Sequence, residues 1–156
     1  GKNNFYELRR IALSIFLLIF IFDVIFCLVF LIFNNQLPWI YLDIESSSNP
    51  SDIYQVVGLS ASLLIISAFF QISDGLQAVV LGALRGLQDV NIPALIAFFS
   101  YGLVGLPISY FSGITFEYGV IGIWVGLLSG LSTSSILLFL RFQYLTKKLI
   151  NNNVKS

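Results

Sequence analysis

The chain alternates between long apolar runs and short polar breaks. Four runs, about 11–33, 55–81, 93–112 and 120–140, are nearly free of charge. Each is long enough to cover roughly 30 Å of hydrocarbon at 1.5 Å per residue. A lone strand leaves its backbone unpaired in lipid, so the runs predict helices. The expected fold is all-α: one polytopic membrane domain over 1–156, with four transmembrane helices.

The breaks predict an orientation. Lys2, Arg9 and Arg10 precede the first run, Arg85 lies between the second and third, and Arg141, Lys147, Lys148 and Lys155 follow the fourth. The connections 34–52 and 113–119 hold no Lys or Arg. The positive-inside rule puts both termini and the Arg85 connection in the cytoplasm. Four crossings independently require both termini on one side. Trp39 and Tyr41 stand where an aromatic belt is expected. Ser51 or Asp52, after Asn49-Pro50, is the expected cap of the second helix.

Composition agrees with a lipid setting. Of 156 residues, 57% are hydrophobic and 10% charged, against about 25% charged in soluble domains. A net charge of +0 argues against a nucleic-acid partner. One cysteine, Cys27, and no histidine exclude an internal disulfide, a cysteine metal cage and a Ser-His-Asp triad. No phosphate loop or metalloprotease motif appears, so an enzyme is not expected. The chain opens on glycine and contains no methionine, which is the pattern of a piece of a longer protein.

Two acids interrupt the apolar runs. On the second run, Ser60, Ser67, Gln71, Asp74 and Ala78 fall within about 60° of one another on a helical wheel. Ile65, Phe69, Ile72, Leu76 and Val80 lie opposite. A lipid-facing helix has no need of such a stripe, so it is expected to face a cavity or another helix. An acid inside a membrane is a functional candidate by default. The Asp74 carboxyl can hold a proton, or a sodium ion together with oxygens of Gln71 or Ser67; no other metal site is expected. Packing alone is the competing account. Asp23, in the first run, has only Ile19, Phe20, Phe26 and Cys27 as helical neighbours. It is a candidate second cation or proton site, or a protonated structural residue.

Other positions read as packing. Gly122, Gly126, Gly130 and Ser134 recur every four residues, as do Gly105, Ser109 and Gly113. This small-xxx-small spacing suits close helix contact. Pro107 should kink or open the third helix. Arg85 and Asp89, four apart, can pair if their connection is helical, and Gly82 and Gly86 would let that turn lie close against the bundle.

Several of these residues form an ordered series: Phe70-Gln71, Asp74, Gln77, Gly82, Leu84-Arg85-Gly86, Asp89, Pro93, Tyr101, Gly105-Leu106-Pro107, Tyr110, Gly119, Gly122, Trp124, Gly126 and Arg141-Phe142. The series resembles the signature of the multidrug and toxic compound extrusion family, its NorM-like branch most. The resemblance implies a twelve-helix, two-bundle antiporter, of which this chain corresponds to the last four helices. It implies residence in the plasma (inner) membrane and export of organic cations against a sodium or proton gradient, with no other cofactor. It sets Asp74 at the family's cation-coupling aspartate. Phe70 occupies a position where some sodium-coupled members carry tyrosine. The remaining helices of the full-length transporter would be partners, and the chain alone is expected to be inactive. Two other readings are a lipid-linked sugar flippase of the same superfamily and a non-functional truncated membrane protein. A flippase cavity would carry cations, whereas both intramembrane charges here are acids.

Overall fold

A computed structural model describes residues 4–40 and 50–155, with the side chains of 50–51 and from 153 onward omitted. Lys2 and Tyr41, and the side chains of Ser51 and Lys155, lie outside the described residues. Helix α1 spans Phe5–Phe33, followed by a 3-10 turn at Leu37–Ile40. Helix α2 spans Pro50–Gly86. A third rod combines α3 (Asn91–Phe99), a wide π turn (Ser100–Gly105), α4 (Leu106–Tyr110) and a second π turn (Phe111–Thr115). Helix α5 spans Gly119–Lys155. The described residues contain no strand. Four segments are long and apolar enough to cross a membrane: Phe5–Phe33, Asp52–Gly86, Asn91–Thr115 and Gly119–Asn152.

The ends follow local chemistry more than hydropathy. Asn4 caps α1, its side chain accepting from the Glu7 N–H at 3.3 Å. Helix α2 already begins at Pro50, a residue whose missing N–H suits the first turn. Asp52 therefore lies inside that turn and is not its cap. Trp39 meets Tyr54 edge to face, 5.8 Å between ring centroids. At its far end α2 runs past the apolar stretch to Gly86. There Gln88 adopts a left-handed φ of 61°, the Gln88 N–H donates to Arg85 O at 2.9 Å, and the Asp89 N–H donates to Leu84 O at 3.0 Å. This pair of bonds is a Schellman closure, and it ends the helix.

That closure overturns the expected Arg85–Asp89 pair. Beyond Gln88 the chain leaves the α2 axis, so Asp89 is no longer one helical turn from Arg85. The Arg141 Nε of α5 instead donates to Asp89 Oδ2 at 2.9 Å, a pair mostly shielded from solvent, and Arg85 is exposed. Nor do Gly82 and Gly86 bring this turn against the bundle. Among the described residues nothing lies within 4 Å of a methyl group placed on either.

Close approach occurs on the third rod. A methyl on Gly126 would overlap the backbone and hydroxyl of Ser109, one on Gly122 would overlap Ser112 and Gly113, and Gly105 meets Gly130. The spacing predicts close contact for each small-residue series, and the structure sets the two against each other. Hydroxyls reinforce the contact. Ser109 donates to Ile123 O at 3.0 Å and Ser112 reaches Gly122 O at 3.1 Å. Pro107 sits between the two π turns, on an exposed face. A proline removes one ladder bond, and the wide turns accommodate that loss.

At one end the bundle is tied by Phe16 of α1, Val80 and Leu84 of α2, and Leu138 and Phe142 of α5. The Phe16 ring stands edge-on to Phe139 and Phe142, at 5.8 and 5.2 Å. Arg9 donates to Gln143 at 2.5 Å in the same region. The start of α1, the α2–α3 connection and the last third of α5 therefore meet at one end of the molecule. They carry Arg9, Arg85 and Arg141.

Two outcomes follow for thermal unfolding in detergent, read by circular dichroism. Gly126→Leu destabilises by about 1–3 kcal/mol, the usual cost of overpacking, whereas Gly82→Ala leaves the transition unchanged or raises it slightly. Asp89→Ala costs about 1–3 kcal/mol by stranding Arg141, whereas Arg85→Ala stays within about 0.5 kcal/mol. Equal effects of the two substitutions in either pair would contradict this packing.

Candidate functional site

Helix α2 carries the polar stripe, and the fold leaves that stripe uncovered. Asp74 and Ala78 are exposed; Ser60, Ser67 and Gln71 are half-buried. The opposite side is split: Val80 is fully buried, while Ile65 and Phe69 are exposed. The stripe therefore opens onto a face that the described helices do not fill. In a bilayer an apolar helix would cover such a face or water would wet it.

Around Asp74 all three other rods contribute. On the α5 side, the residue before it, Ser73, shares a hydroxyl–hydroxyl hydrogen bond of 3.0 Å with Ser132. Ser135 donates to Ser73 O at 2.7 Å and to Leu131 O at 2.9 Å. On the α3 side, one turn along α2, Gln77 accepts from the Tyr101 hydroxyl at 3.5 Å. Phe70 meets Trp124 of α5 edge to face, ring centroids 5.8 Å apart. It serves as a wall of the stripe and offers no oxygen.

On the α1 side the residue after Asp74 is decisive. Gly75 has no side chain, and the Asp23 carboxylate occupies the space where one would be; a methyl group there would overlap Asp23 Oδ2. Asp23 is only 9% exposed. Its Oδ2 is fully buried without a hydrogen-bond partner among the described residues. Asp23, 51 positions before Asp74 in sequence, thus sits against the residue that follows Asp74.

The remaining sequence candidates lie elsewhere. Arg85 and Gly86 end α2, Asp89 belongs to the ion pair with Arg141, and Pro107 faces outward between the π turns. They shape one end of the bundle and the third rod, away from the stripe. Sequence reasoning missed Gly75, Ser73, Ser132 and Ser135, and gave Tyr101 no role. The available signal was the Ser-Asp-Gly triplet itself: a small residue on each side of a membrane acid invites two neighbouring helices to approach. Among the described residues no three His, Cys, Asp or Glu side chains gather into a metal-binding group. A cation at this site would be held by few carboxylates and by hydroxyl or amide oxygens.

A family model described as MatE matches residues 1–111. The multidrug resistance protein NorM of Burkholderia vietnamiensis is 40% identical over 123 residues, covering 79% of this chain and 26% of that protein. The multidrug resistance protein NorM of Aliivibrio fischeri (strain ATCC 700601 / ES114) is 38% identical over 121 residues, 75% of this chain and 24% of that protein. The probable multidrug resistance protein NorM of Bacillus subtilis (strain 168) is 34% identical over 148 residues, 95% of this chain and 31% of that protein. The chain spans about a quarter to a third of the length of these relatives. With the family model covering most of its length and its four apolar helices suited to a polytopic membrane fold, the chain belongs to the MatE family.

Proposed function

We propose that this chain is the C-terminal part of a cation-coupled multidrug antiporter, with Asp74 as the coupling group. The observation that carries the proposal is an ionisable side chain on an uncovered polar stripe, whose neighbours on α2, Ser73, Gly75 and Gln77, each meet a different rod of the bundle. An ionised Asp74 attracts an organic cation to that face. A proton or sodium ion at the same carboxyl removes the attraction. Inward- and outward-open states that bind the two cations unequally then exchange one for the other. The aromatic wall of Phe70 and Trp124 suits flat apolar cations through burial and cation–π contact.

The sidedness belongs to this proposal. Arg9, Arg85 and Arg141 gather at one end of the molecule, which the positive-inside rule sets in the cytoplasm of an inner membrane. Gln71 and Ser67, half-buried beside Asp74, are the oxygens available to sodium. Because the stripe is open, the cleft is completed by helices supplied by the rest of the transporter. No Lys or Arg falls within the four apolar runs, which disfavours a flippase for anionic headgroups.

The test uses the transporter that carries this chain, reconstituted in vesicles with a fluorescent organic cation. Asp74→Asn lowers export driven by a sodium or proton gradient by about 5- to 150-fold, the range of typical coupling free energies, with membrane insertion unchanged. The gradient that supports export in the wild type names the ion. Undiminished gradient-driven export by Asp74→Asn would overturn the proposal. The isolated chain, lacking a second bundle, shows no export in the same assay.

A further inference from the structure

We propose that Asp23 and Asp74 act together as one two-carboxylate site for a small monovalent cation, brought within reach of each other by the bare backbone of Gly75. This extends the coupling role proposed for Asp74 to a second helix, and it rests on that reading.

The burial of Asp23 is the starting point. Its Oδ2 is shut away from solvent and has no donor among the described residues. Helical neighbours Ile19, Phe20, Phe26 and Cys27 offer no charge to balance it. A buried carboxylate oxygen without a donor or a cation is costly, more so inside a bilayer. Packing alone does not repay that cost, because an apolar residue of similar size would fill the α1–α2 crossing equally well.

The direction of the side chain is the second point. The same unpartnered oxygen is the one pressed against Gly75, beside Asp74. Gly75 is the residue after Asp74, so the Asp23 carboxylate lies one residue away from the second acid along α2. Two like charges in a low-dielectric region repel strongly. The one ion pair among the described residues, Asp89 with Arg141, lies at the end of the bundle and supplies no counter-charge here. Tyr101 of the third rod has its hydroxyl turned to Gln77, one turn along α2 from Asp74. Helix α5 brings only the hydroxyls of Ser132 and Ser135. The balancing charge must therefore come from outside the chain. The occupant proposed is a single monovalent ion, which leaves the carboxylate pair with one net negative charge; a divalent ion of calcium type gathers six to eight oxygens. Asp74, exposed on the open stripe, gives the entry route, and Asp23 closes the inner side.

Sodium and the proton share this chemistry, and equilibrium binding of radioactive sodium to the transporter that carries this chain, in lipid nanodiscs, separates them. Expected is saturable binding that falls about tenfold or more in both Asp23→Asn and Asp74→Asn, and that weakens in Gly75→Ala, which keeps both acids but displaces the Asp23 carboxylate. Where the wild type binds no sodium, infrared spectra must show a carboxylic-acid carbonyl band at neutral pH that both Asn variants remove; that result supports the site with a proton as its cation. Helical circular dichroism and the melting transition report folding, and if Asp23→Asn unfolds, Gly75→Ala decides. Wild-type behaviour of Asp23→Asn with loss in Asp74→Asn overturns the shared site and leaves the Asp74 reading standing. Wild-type behaviour of Asp74→Asn, or neither signal in the wild type, overturns both.

Discussion

Hydrocarbon cannot hydrogen-bond, so every polar group in a membrane span must find its partner inside the protein. Most features of this chain answer that constraint. Backbone groups are satisfied by the helical ladder. Hydroxyls in the spans are satisfied by bonding back to the carbonyl one turn earlier, as Ser129, Thr133 and Thr146 do. Where hydroxyls instead reach another helix, as Ser73, Ser109 and Ser132 do, they mark the crossings that hold the bundle. The groups left over stand out against this background. Among them only Asp23 is a carboxylate, and it points at the neighbour of the other intramembrane acid.

Because burial of apolar surface does not drive helices together in lipid, contact depends on how closely backbones approach. The third rod and α5 meet through Gly105, Gly113, Gly122, Gly126 and Gly130, and α1 meets α2 through Gly75. Both contacts use missing side chains, to different ends. At the first, glycine admits backbone and serine. At the second it admits a carboxylate. The π turns on either side of Pro107 belong to the same economy of close contact, since they widen the third rod just where it lies against α5. The result is a bundle rigid along one seam, with Asp74 displayed beside it on an uncovered face.

The end of the molecule that gathers Arg9, Arg85 and Arg141 is organised differently. Here solvent competes for polar groups, and local chain geometry decides the pairs. The left-handed Gln88 ends α2 and carries Asp89 off its axis toward Arg141. A four-residue spacing predicts a helical pair only while the helix continues, and two residues of turn geometry were enough to exchange Arg85 for a partner 52 positions away.

The sequence by itself determined the helices, the membrane as their solvent, the two small-residue series as close-contact faces and the identity of Asp74 as the charge on a polar stripe. These are period and composition effects, written in neighbours along the chain. Tertiary structure alone decided that the stripe stays open, that Asp89 pairs with Arg141, that Tyr101 serves Gln77, and that Asp23 lies over Gly75 beside Asp74. Each of these depends on the rotation and crossing height of one helix against another. Hydrophobic periodicity indicates which face of a helix is apolar; it does not encode which residue of the neighbouring helix that face will meet.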